Sequence, residues 1–300
     1  MLTLPFELRA LVMLNRSLLF KVLFDAAAYC LLKLSSDPKW IGATPSITAV
    51  LHTWGQQLEF HPHIHAIVSG GGADQQHNWV VAKKDKGNFL FPYEVMEPMF
   101  KKSFLGKTQK LIDKGLLTLP QGMNWDSLKN KMKNTRWIVY AKPPFGSAAQ
   151  VVEYLGRYTH KTAISNHRIK KVENGQVTFT WKDNRNGGAY KTAVMDSEKF
   201  LKRFAQHILP KYFVRIRHYG ILGNNKRHQT INSILAKMDK PLHPPKVLTP
   251  KEIVLLSLYG SSGRFCPVCK SKEPMMIFTK RRCVRPPPRI ESLPVGKSFR

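Results

Sequence analysis

The sequence predicts an α+β protein, and three features of the chain lead to this class. Residues 5–34 repeat apolar side chains at helical spacing, which predicts one or two amphipathic helices. From Ser46 onward, short runs rich in β-branched and aromatic residues alternate with glycine-containing turns, as strands do. A predicted hairpin in QVTFTW and AYKTAVM adds antiparallel strands, which the α+β class contains. We expect extra helices at the N-terminus and a basic, partly disordered tail at the C-terminus.

The elements are predicted in chain order from local patterns. Strands are expected in SITAVLHTW, HIHAIVSGGG, NWVVAKK and NFLFPY, then helix over about 93–133, then a strand in RWIVYA. Ser147 is suited to N-cap a helix in SAAQVVEYLGRYTHKTA. QVTFTW and AYKTAVM flank an Asp, Asn and Gly cluster and predict a hairpin; SEKFLKRFAQHIL predicts a helix and YFVRIRHYG a basic strand.

We divide the chain into three parts on these patterns. Residues 1–45 are the N-terminal helical segment. Residues 46–240 are the main domain, with the helical stretch of about 93–133 as an insertion. Residues 241–300 are a Pro-, Lys- and Arg-rich C-terminal region.

The chain is strongly basic. It has 48 Lys and Arg against 19 Asp and Glu, a formal net charge of +29. This excess excludes an ordinary small-molecule metabolic enzyme as the default class and indicates a polyanionic partner, either nucleic acid or an anionic membrane. The longest apolar run is far shorter than the ~20 residues of a spanning helix. Nucleic acid is therefore favoured, and no membrane association is expected.

Cysteine usage and the N-terminal pattern indicate an intracellular protein. Four cysteines are too few and too unevenly spaced for a disulfide framework, and charged residues interrupt the N-terminal apolar stretch where a secretory signal would be uninterrupted. We expect a cytoplasmic, nucleoid-associated protein. Cys266, Cys269 and Cys283 lack a fourth ligand at suitable spacing, so zinc is not expected at Cys266 and Cys269.

His63 and His65 are the strongest local signal for chemistry. Residues two apart on a strand point to the same face, so the two imidazoles lie side by side as a metal-ligand pair. Mn²⁺, Zn²⁺, or Mg²⁺ completed by oxygens and water would suit them. A third ligand is expected nearby, and the sequence does not rank its candidates, which are His61, His52, Gln56 and Glu59. The alternative is that the histidines are half-buried and hydrogen-bonded to the backbone.

Tyr154 and Tyr158 are the second signal. Positions four apart lie on one helix face, so both phenols would project together, either as an aromatic core pair or as nucleophiles. A phenol with a pKa of about 10 is a poor nucleophile at neutral pH. The neighbouring cations Arg157 and Lys161 would favour the phenolate.

The two pairs together fit one reaction. A divalent metal on the histidines would polarise a phosphodiester, and a tyrosine would attack phosphorus, expel a 3′ hydroxyl and retain the 5′ phosphate. The phosphotyrosine bond conserves the energy needed for rejoining, so no ATP is required. Gly106-Lys107-Thr108 is like the end of a P-loop, but Lys101 occupies the upstream glycine position, and no nucleotide cofactor is expected.

These motifs resemble those of a known family. TWGQQLEFHPHIHAIVSGGG, EYLGRYTHKTAISNHRI and VRIRHYGILGNNKR are similar to transposases of the insertion sequence ninety-one type, two-tyrosine HUH nucleases that move by a rolling-circle route. The resemblance implies a central antiparallel sheet that carries the histidine pair, with the tyrosine helix beside it. It implies nicking and joining of single-stranded DNA at transposon ends and target with Mg²⁺ or Mn²⁺. Tyr154 and Tyr158 are then nucleophiles, and His63 and His65 metal ligands.

One feature departs from the family pattern. Its members usually carry a cysteine-rich, zinc-binding segment before the first helix, and the sequence shows none, so we expect an N-terminally shortened copy. Two alternatives follow: a non-catalytic DNA-binding remnant of a mobile element, or a metal-dependent phosphodiesterase without a covalent step. The sequence leaves the DNA end sequence and the oligomeric state open.

Basic and aromatic residues outside the two pairs are candidates for DNA contact. Cations neutralise phosphates and aromatic rings stack on unpaired bases. The alternative is a solvated basic surface that maintains solubility. The candidates are Arg157, Lys161, Arg215, Arg217, Tyr219, Lys226 and Arg227.

Overall fold

The protein contains a five-stranded antiparallel sheet covered by helices on one side, and a second sheet of three strands. The computed structural model describes residues 1–83, 89–159, 163–183, 186–223 and 227–242. The strands are β1 (Leu2–Thr3), β2 (Thr44–Trp54), β3 (Phe60–Ala73), β4 (Trp79–Val81), β5 (Ile169–Glu173), β6 (Gln176–Asp183), β7 (Ala189–Asp196) and β8 (Ile216–Gly220). The helices are α1 (Arg9–Leu14), α2 (Arg16–Ser35), α3 (Tyr93–Asp113), α4 (Trp125–Asn134), α5 (Ala148–Thr159), α6 (Ser197–Ala205) and α7 (Arg227–Lys237). The predicted α+β class is confirmed.

The two faces of the larger sheet have different environments. Its strand order is β1-β3-β2-β8, with β4 paired to β3. Ile47, Ala49 and Leu51 of β2 are buried in the core together with residues of α2, and we call this side the helix-covered face. Because side chains alternate along a strand, the residues between them belong to the opposite side. That side carries His63 and His65 of β3, and we call it the histidine face.

The N-terminal apolar stretch forms two helices, α1 and α2, which was one of the two predicted outcomes. Asn15 separates them with a backbone at φ −121° and ψ 40°. Its side chain donates to the Leu11 carbonyl and exchanges two hydrogen bonds with the Thr118 backbone. Twelve of the 20 residues of α2 are buried, since the helix packs against both the sheet and α3. The N-terminal helices thus share one hydrophobic core with the main sheet.

The prediction for residues 93–141 is correct for helices and wrong for the strand. The expected helical stretch consists of α3 and α4. Residues 136–141 form only an isolated bridge between Leu2 and Val139. Trp137 explains the difference, because its fully buried ring packs edge-on against Phe100 of α3 and donates from Nε1 to the Met132 carbonyl. The segment runs antiparallel to β1, with backbone hydrogen bonds from Thr3 to Ile138 at 3.0 Å and from Tyr140 to Met1 at 2.9 Å, but this pairing is too short to form a strand.

Other departures from the prediction have the same origin. Residues 89–92 lie outside any strand, and Phe91 is buried edge-on against Trp40 at 6.2 Å between ring centroids. β1, β5 and α7 were not predicted; β1 has two residues, too few for a periodic pattern.

Residues 243–300, which include Cys266, Cys269, Cys283 and the basic tail, lie outside the described residues. Among the described helices, none combines the length and apolar character that a bilayer crossing requires.

The predicted hairpin in the second half of the chain is confirmed and extends to a three-stranded meander, β5-β6-β7. Asp183 stabilises the turn, because its carboxylate accepts from the Asn186 side chain and from Lys191 at 2.7 Å each. One face of this sheet packs on α6, where Phe179 and Phe200 lie 5.7 Å apart. The meander therefore has its own small core.

Leu58, in the loop between β2 and β3, connects the two sheets. Its side chain is fully buried in the core of the second sheet, with a backbone φ of +61°. The loop turns sharply at Gly55, where a Cβ atom would collide with the Glu59 carboxylate. The tip of the hairpin that carries the histidines is thus anchored in the second core.

Replacing Leu58 by Ala should test this anchor. Truncation of a buried leucine costs about 2–5 kcal/mol of unfolding free energy, so we expect a loss of that size in urea denaturation. Val194→Ala, on β7 and 58% exposed, is the control and should change the unfolding free energy by less than about 0.5 kcal/mol. Equally small effects of both substitutions would contradict an anchoring role.

Candidate functional site

Three imidazoles meet on the histidine face. The antiparallel register pairs His52 of β2 directly with His63 of β3, and paired residues present their side chains to the same side. His65 lies two residues further along β3 on that side. The ring centroids of His65 are 4.6 Å from His52 and 4.9 Å from His63. One ligand atom from each of the three lies within 4.8 Å of those of the other two.

The hydrogen bonds of His63 define which nitrogen faces the group. Its Nδ1 lies 2.6 Å from the His61 carbonyl oxygen, which can only accept, so Nδ1 carries the proton. Its Nε2 is then a lone-pair donor, 3.1 Å from Nε2 of His65. Two nitrogens each about 2.1 Å from one ion, at roughly a right angle, are separated by about 3 Å. The pair therefore has the spacing of two ligands of a single metal ion.

Burial keeps these imidazoles in the form that binds a metal. It lowers the pKa of His63 well below its usual value, and the neighbouring His65 and His52 act in the same direction. Burial, together with His52 and Lys142, lowers the pKa of His65 to about 2. Both rings are therefore neutral near pH 7, and neutral imidazole is the metal-ligating form.

The structure shows which of the four candidates for a third ligand lies beside His63 and His65. His52 joins the pair, with its ring stacked on Trp54 at 4.4 Å and 19°. His61 accepts a hydrogen bond at Nδ1 from Arg9 at 2.6 Å. Gln56 accepts from the Lys182 backbone, and the Glu59 carboxylate accepts from the Gln57 backbone at 3.0 Å. The group of side chains that could hold a metal ion thus consists of His52, His63 and His65.

Tyr154 of α5 reaches the histidines. Its hydroxyl lies 3.0 Å from Nδ1 of His65, and its ring packs against Phe145 at 5.2 Å between centroids. Ser147 caps the helix as predicted, since its hydroxyl accepts from the Gln150 backbone at 3.3 Å. Tyr158 lies four residues further along the same helix, but the side chains of Tyr158 and Arg157 are outside the described part of the structure.

The candidate DNA-contact residues fall in different places. Arg217 and Tyr219 of β8 pair with Ala49 and Ile47, so they lie on the helix-covered face, away from the histidines. Arg217 stacks over Phe24 of α2 at 4.3 Å, and Tyr219 packs against the main core. Arg215 precedes β8 and is half-buried, Arg227 is exposed at the start of α7, and Lys161 and Lys226 lie outside the described residues. These strand residues therefore do not line the histidine face.

A large cleft opens over the histidine face. Its volume is about 2190 Å³, more than the roughly 300–1,000 Å³ of small-molecule pockets, and Tyr154 is among the residues that line it. Lysines and arginines from separate segments also line it, namely Lys83, Lys142, Arg168, Lys170, Lys182 and Arg203, together with Tyr190 of β7. Sequence reasoning missed all seven, because no local pattern links residues that only the packing of the two sheets brings together.

Three side chains hold the loop between the histidine strands. Its consecutive carbonyls of Gln56, Gln57 and Leu58 accept hydrogen bonds from Arg168 at 2.5 Å, Arg203 at 3.0 Å and His207 at 3.2 Å, respectively. Arg168 also donates to the Thr180 carbonyl of β6, and Arg203 belongs to α6. His207 accepts at Nδ1 from Thr53, so both of its ring nitrogens are hydrogen-bonded. We call these three residues the loop clamp.

Comparisons with known proteins agree on one class. A family model, Y2_Tnp, described as "Putative transposase", matches residues 46–229. "Putative transposase y4qJ" of Sinorhizobium fredii is 38% identical over 279 residues, which cover 89% of this chain and 69% of that protein. "Transposase for insertion sequence element IS801" of Pseudomonas savastanoi pv. phaseolicola is 31% identical over 254 residues, 82% of this chain and 59% of that protein. No solved structure matches the chain.

Metal titration should identify the third ligand. We expect wild type to bind one Mn²⁺ in isothermal titration calorimetry and His52→Ala to lose at least about tenfold in affinity, since even outer-shell changes cost 10–100-fold. The control is His218→Ala, because His218 is exposed on the same face but bonds to Thr48. It should retain wild-type affinity. A His52→Ala protein that is folded and binds Mn²⁺ like wild type would exclude His52 as a ligand.

Proposed function

This chain belongs to the transposase family whose model it matches, and from that premise we propose that it nicks and rejoins single-stranded DNA through a phosphotyrosine intermediate. The observation that carries the proposal is the 3.0 Å contact between the Tyr154 hydroxyl and His65, within a group of three histidines whose ligand atoms lie within 4.8 Å of one another. Tyr154 is the nucleophile of the first cut. Residues 46–240 are the catalytic domain, and the site residues lie within the matched segment 46–229.

The three histidines fit a divalent metal. His52, His63 and His65 would hold it, and when bound it would polarise a phosphodiester oxygen and stabilise charge on the phosphate. An all-imidazole donor set suits Mn²⁺ better than Mg²⁺, which prefers oxygen ligands. We therefore propose Mn²⁺ as the better cofactor, with Mg²⁺ as the weaker one.

His65 positions the nucleophile. With its Nε2 directed at His63, its Nδ1 carries the proton and donates to the Tyr154 oxygen. That hydrogen bond orients the oxygen and favours negative charge on it. Lys142, which is close enough to His65 to lower its pKa and which lines the same cleft, adds a positive charge beside the developing phenolate.

The bonds exchanged in the first step balance without a further reactant. The Tyr154 oxygen forms a bond to phosphorus while the bond from phosphorus to the 3′ oxygen breaks. The phenolic proton is released and the departing oxygen takes one up, so a 3′ hydroxyl is formed. The 5′ phosphate stays on Tyr154. Attack by a 3′ hydroxyl reverses the step and joins a strand, which is why no ATP is needed.

Two tyrosines on one helix allow two such exchanges. Tyr158 lies one helical turn after Tyr154 in α5, and we propose that it makes the second covalent bond. The substrate is the single strand at transposon ends and target, in line with rolling-circle transposition. The basic cleft supports a nucleic-acid substrate, since six of its lining residues are Lys or Arg, the side chains that contact phosphates without regard to sequence. The protein acts inside the cell, beside its DNA.

Replacing Tyr154 by Phe should abolish the covalent adduct. We expect wild type with labelled single-stranded transposon-end DNA and Mn²⁺ to give a protein–DNA band on a denaturing gel. Loss of the nucleophilic oxygen should remove the first-cut band without weakening DNA binding. Tyr140→Phe is the matched control, because Tyr140 lines the same cleft and is 54% exposed. It should form the adduct at the wild-type rate.

Each other result has a definite meaning. If the Tyr154→Phe protein still forms the first adduct, Tyr158 and not Tyr154 is the nucleophile of the first cut. Metal-dependent cleavage without any adduct, retained when both tyrosines are Phe, would identify a phosphodiesterase that uses water. Salt-sensitive DNA binding by wild type with no cleavage would identify a non-catalytic DNA-binding remnant.

A further inference from the structure

The second sheet has one covered face and one open face. Ala193 and Met195 of β7 pack into its core beside α6, while the alternate residues of β7 point the other way. Tyr190 is 76% exposed and Val194 is 58% exposed. The register pairs Tyr190 with Lys182, and the open face consists of Thr178, Thr180, Lys182, Tyr190, Thr192 and Val194.

Part of the open face borders the same cleft as the histidines. Thr180, Lys182 and Tyr190 line the cleft, as do His63, His65 and Tyr154. All three are on the half of the hairpin nearest its turn. A chain molecule that occupies this cleft at Tyr154 therefore has a continuous path to Tyr190.

The part of the open face that borders the cleft is positively charged, as a binding surface for a polyanion would be. Lys182 is directly across from Tyr190, and the Arg168 guanidinium is close enough to interact electrostatically with the Tyr190 hydroxyl. Lys170 of β5 lines the cleft on the same sheet. An exposed aromatic ring between cations is the arrangement that binds unpaired nucleic acid, where the ring stacks on a base and the cations contact phosphates.

We propose that Tyr190 is a stacking platform for an unpaired base of the DNA strand that reaches Tyr154. The inference rests on the proposed single-stranded substrate and adds the second sheet to its binding site. Duplex DNA is a poorer occupant, because its bases are already stacked on each other and offer no free face to the ring. The second sheet thus selects unwound DNA before the strand is cut.

Fluorescence anisotropy with labelled oligonucleotides tests the platform. We use a single-stranded oligodeoxynucleotide and a matched oligomer with abasic positions, at one fixed salt concentration. Tyr190→Ala should weaken binding of the base-containing oligomer by roughly 5- to 150-fold, the loss for one stacked base. Tyr190→Phe keeps the ring and should bind like wild type. Tyr212→Ala is the matched control, since Tyr212 is 87% exposed and does not line the cleft.

The abasic oligomer separates stacking from other effects. It should bind wild type and Tyr190→Ala equally, because neither can stack on a missing base. The proposal is overturned if Tyr190→Ala binds the base-containing oligomer like wild type, if it loses as much on the abasic oligomer, or if wild type does not bind single strands.

The adduct assay keeps this test apart from the proposed function. At saturating DNA, Tyr190→Ala should still form the Tyr154 adduct, since Tyr190 does not touch the reacting atoms. A wild type that shows base-dependent binding through Tyr190 but forms no adduct would contradict the proposed chemistry and leave the platform intact. If wild type forms the adduct and Tyr190→Ala binds single strands like wild type, the stacking platform is contradicted and the proposed chemistry stands.

Discussion

The register between β2 and β3 is the constraint on which the site depends. A slip of one residue in this pairing would send His52 to the helix-covered face and leave His63 and His65 without their partner. The β2–β3 loop defines the register, and it is held from outside by the loop clamp of Arg168, Arg203 and His207. Leu58, buried in the second core, prevents the loop from shifting along the strands. The second sheet and α6 therefore contribute to the site before they contact any substrate.

The clamp also links the two halves of the cleft. Arg168 donates both to the Gln56 carbonyl in the hairpin loop and to the Thr180 carbonyl of β6, so one guanidinium connects the two sheets. Buried carbonyls that lose a charged donor leave an unpaired polar group, which is costly in a low-dielectric interior. Among the three loop carbonyls, this applies most to that of Leu58, whose hydrogen bond with His207 is buried, while those of Gln56 and Gln57 lie nearer the surface.

The sequence alone was sufficient for the local parts of the site. The two-residue period of β3 correctly predicted that His63 and His65 share a face, and helical spacing with the Ser147 cap correctly predicted the helix of Tyr154. It could not rank His52 above His61, because that choice depends on cross-strand register and on the Arg9 side chain. Alternation showed that Arg217 and Tyr219 share a side of β8 but not which side, and the packing of Phe24 decides it.

The charges around the three histidines bear on the metal site that we propose. Burial keeps His63 and His65 neutral, so they add no repulsion of their own, but imidazoles also offer no negative charge to offset a divalent ion. Nearby cations, Lys142 among them, make the cleft less favourable for a metal alone. In the proposed reaction a DNA phosphate would supply the missing negative charge, and the same lysines and Arg168 would attract it. Under the proposed function the net charge of +29 and the all-histidine group are therefore complementary, since a DNA strand in the cleft would balance the charge of a bound metal.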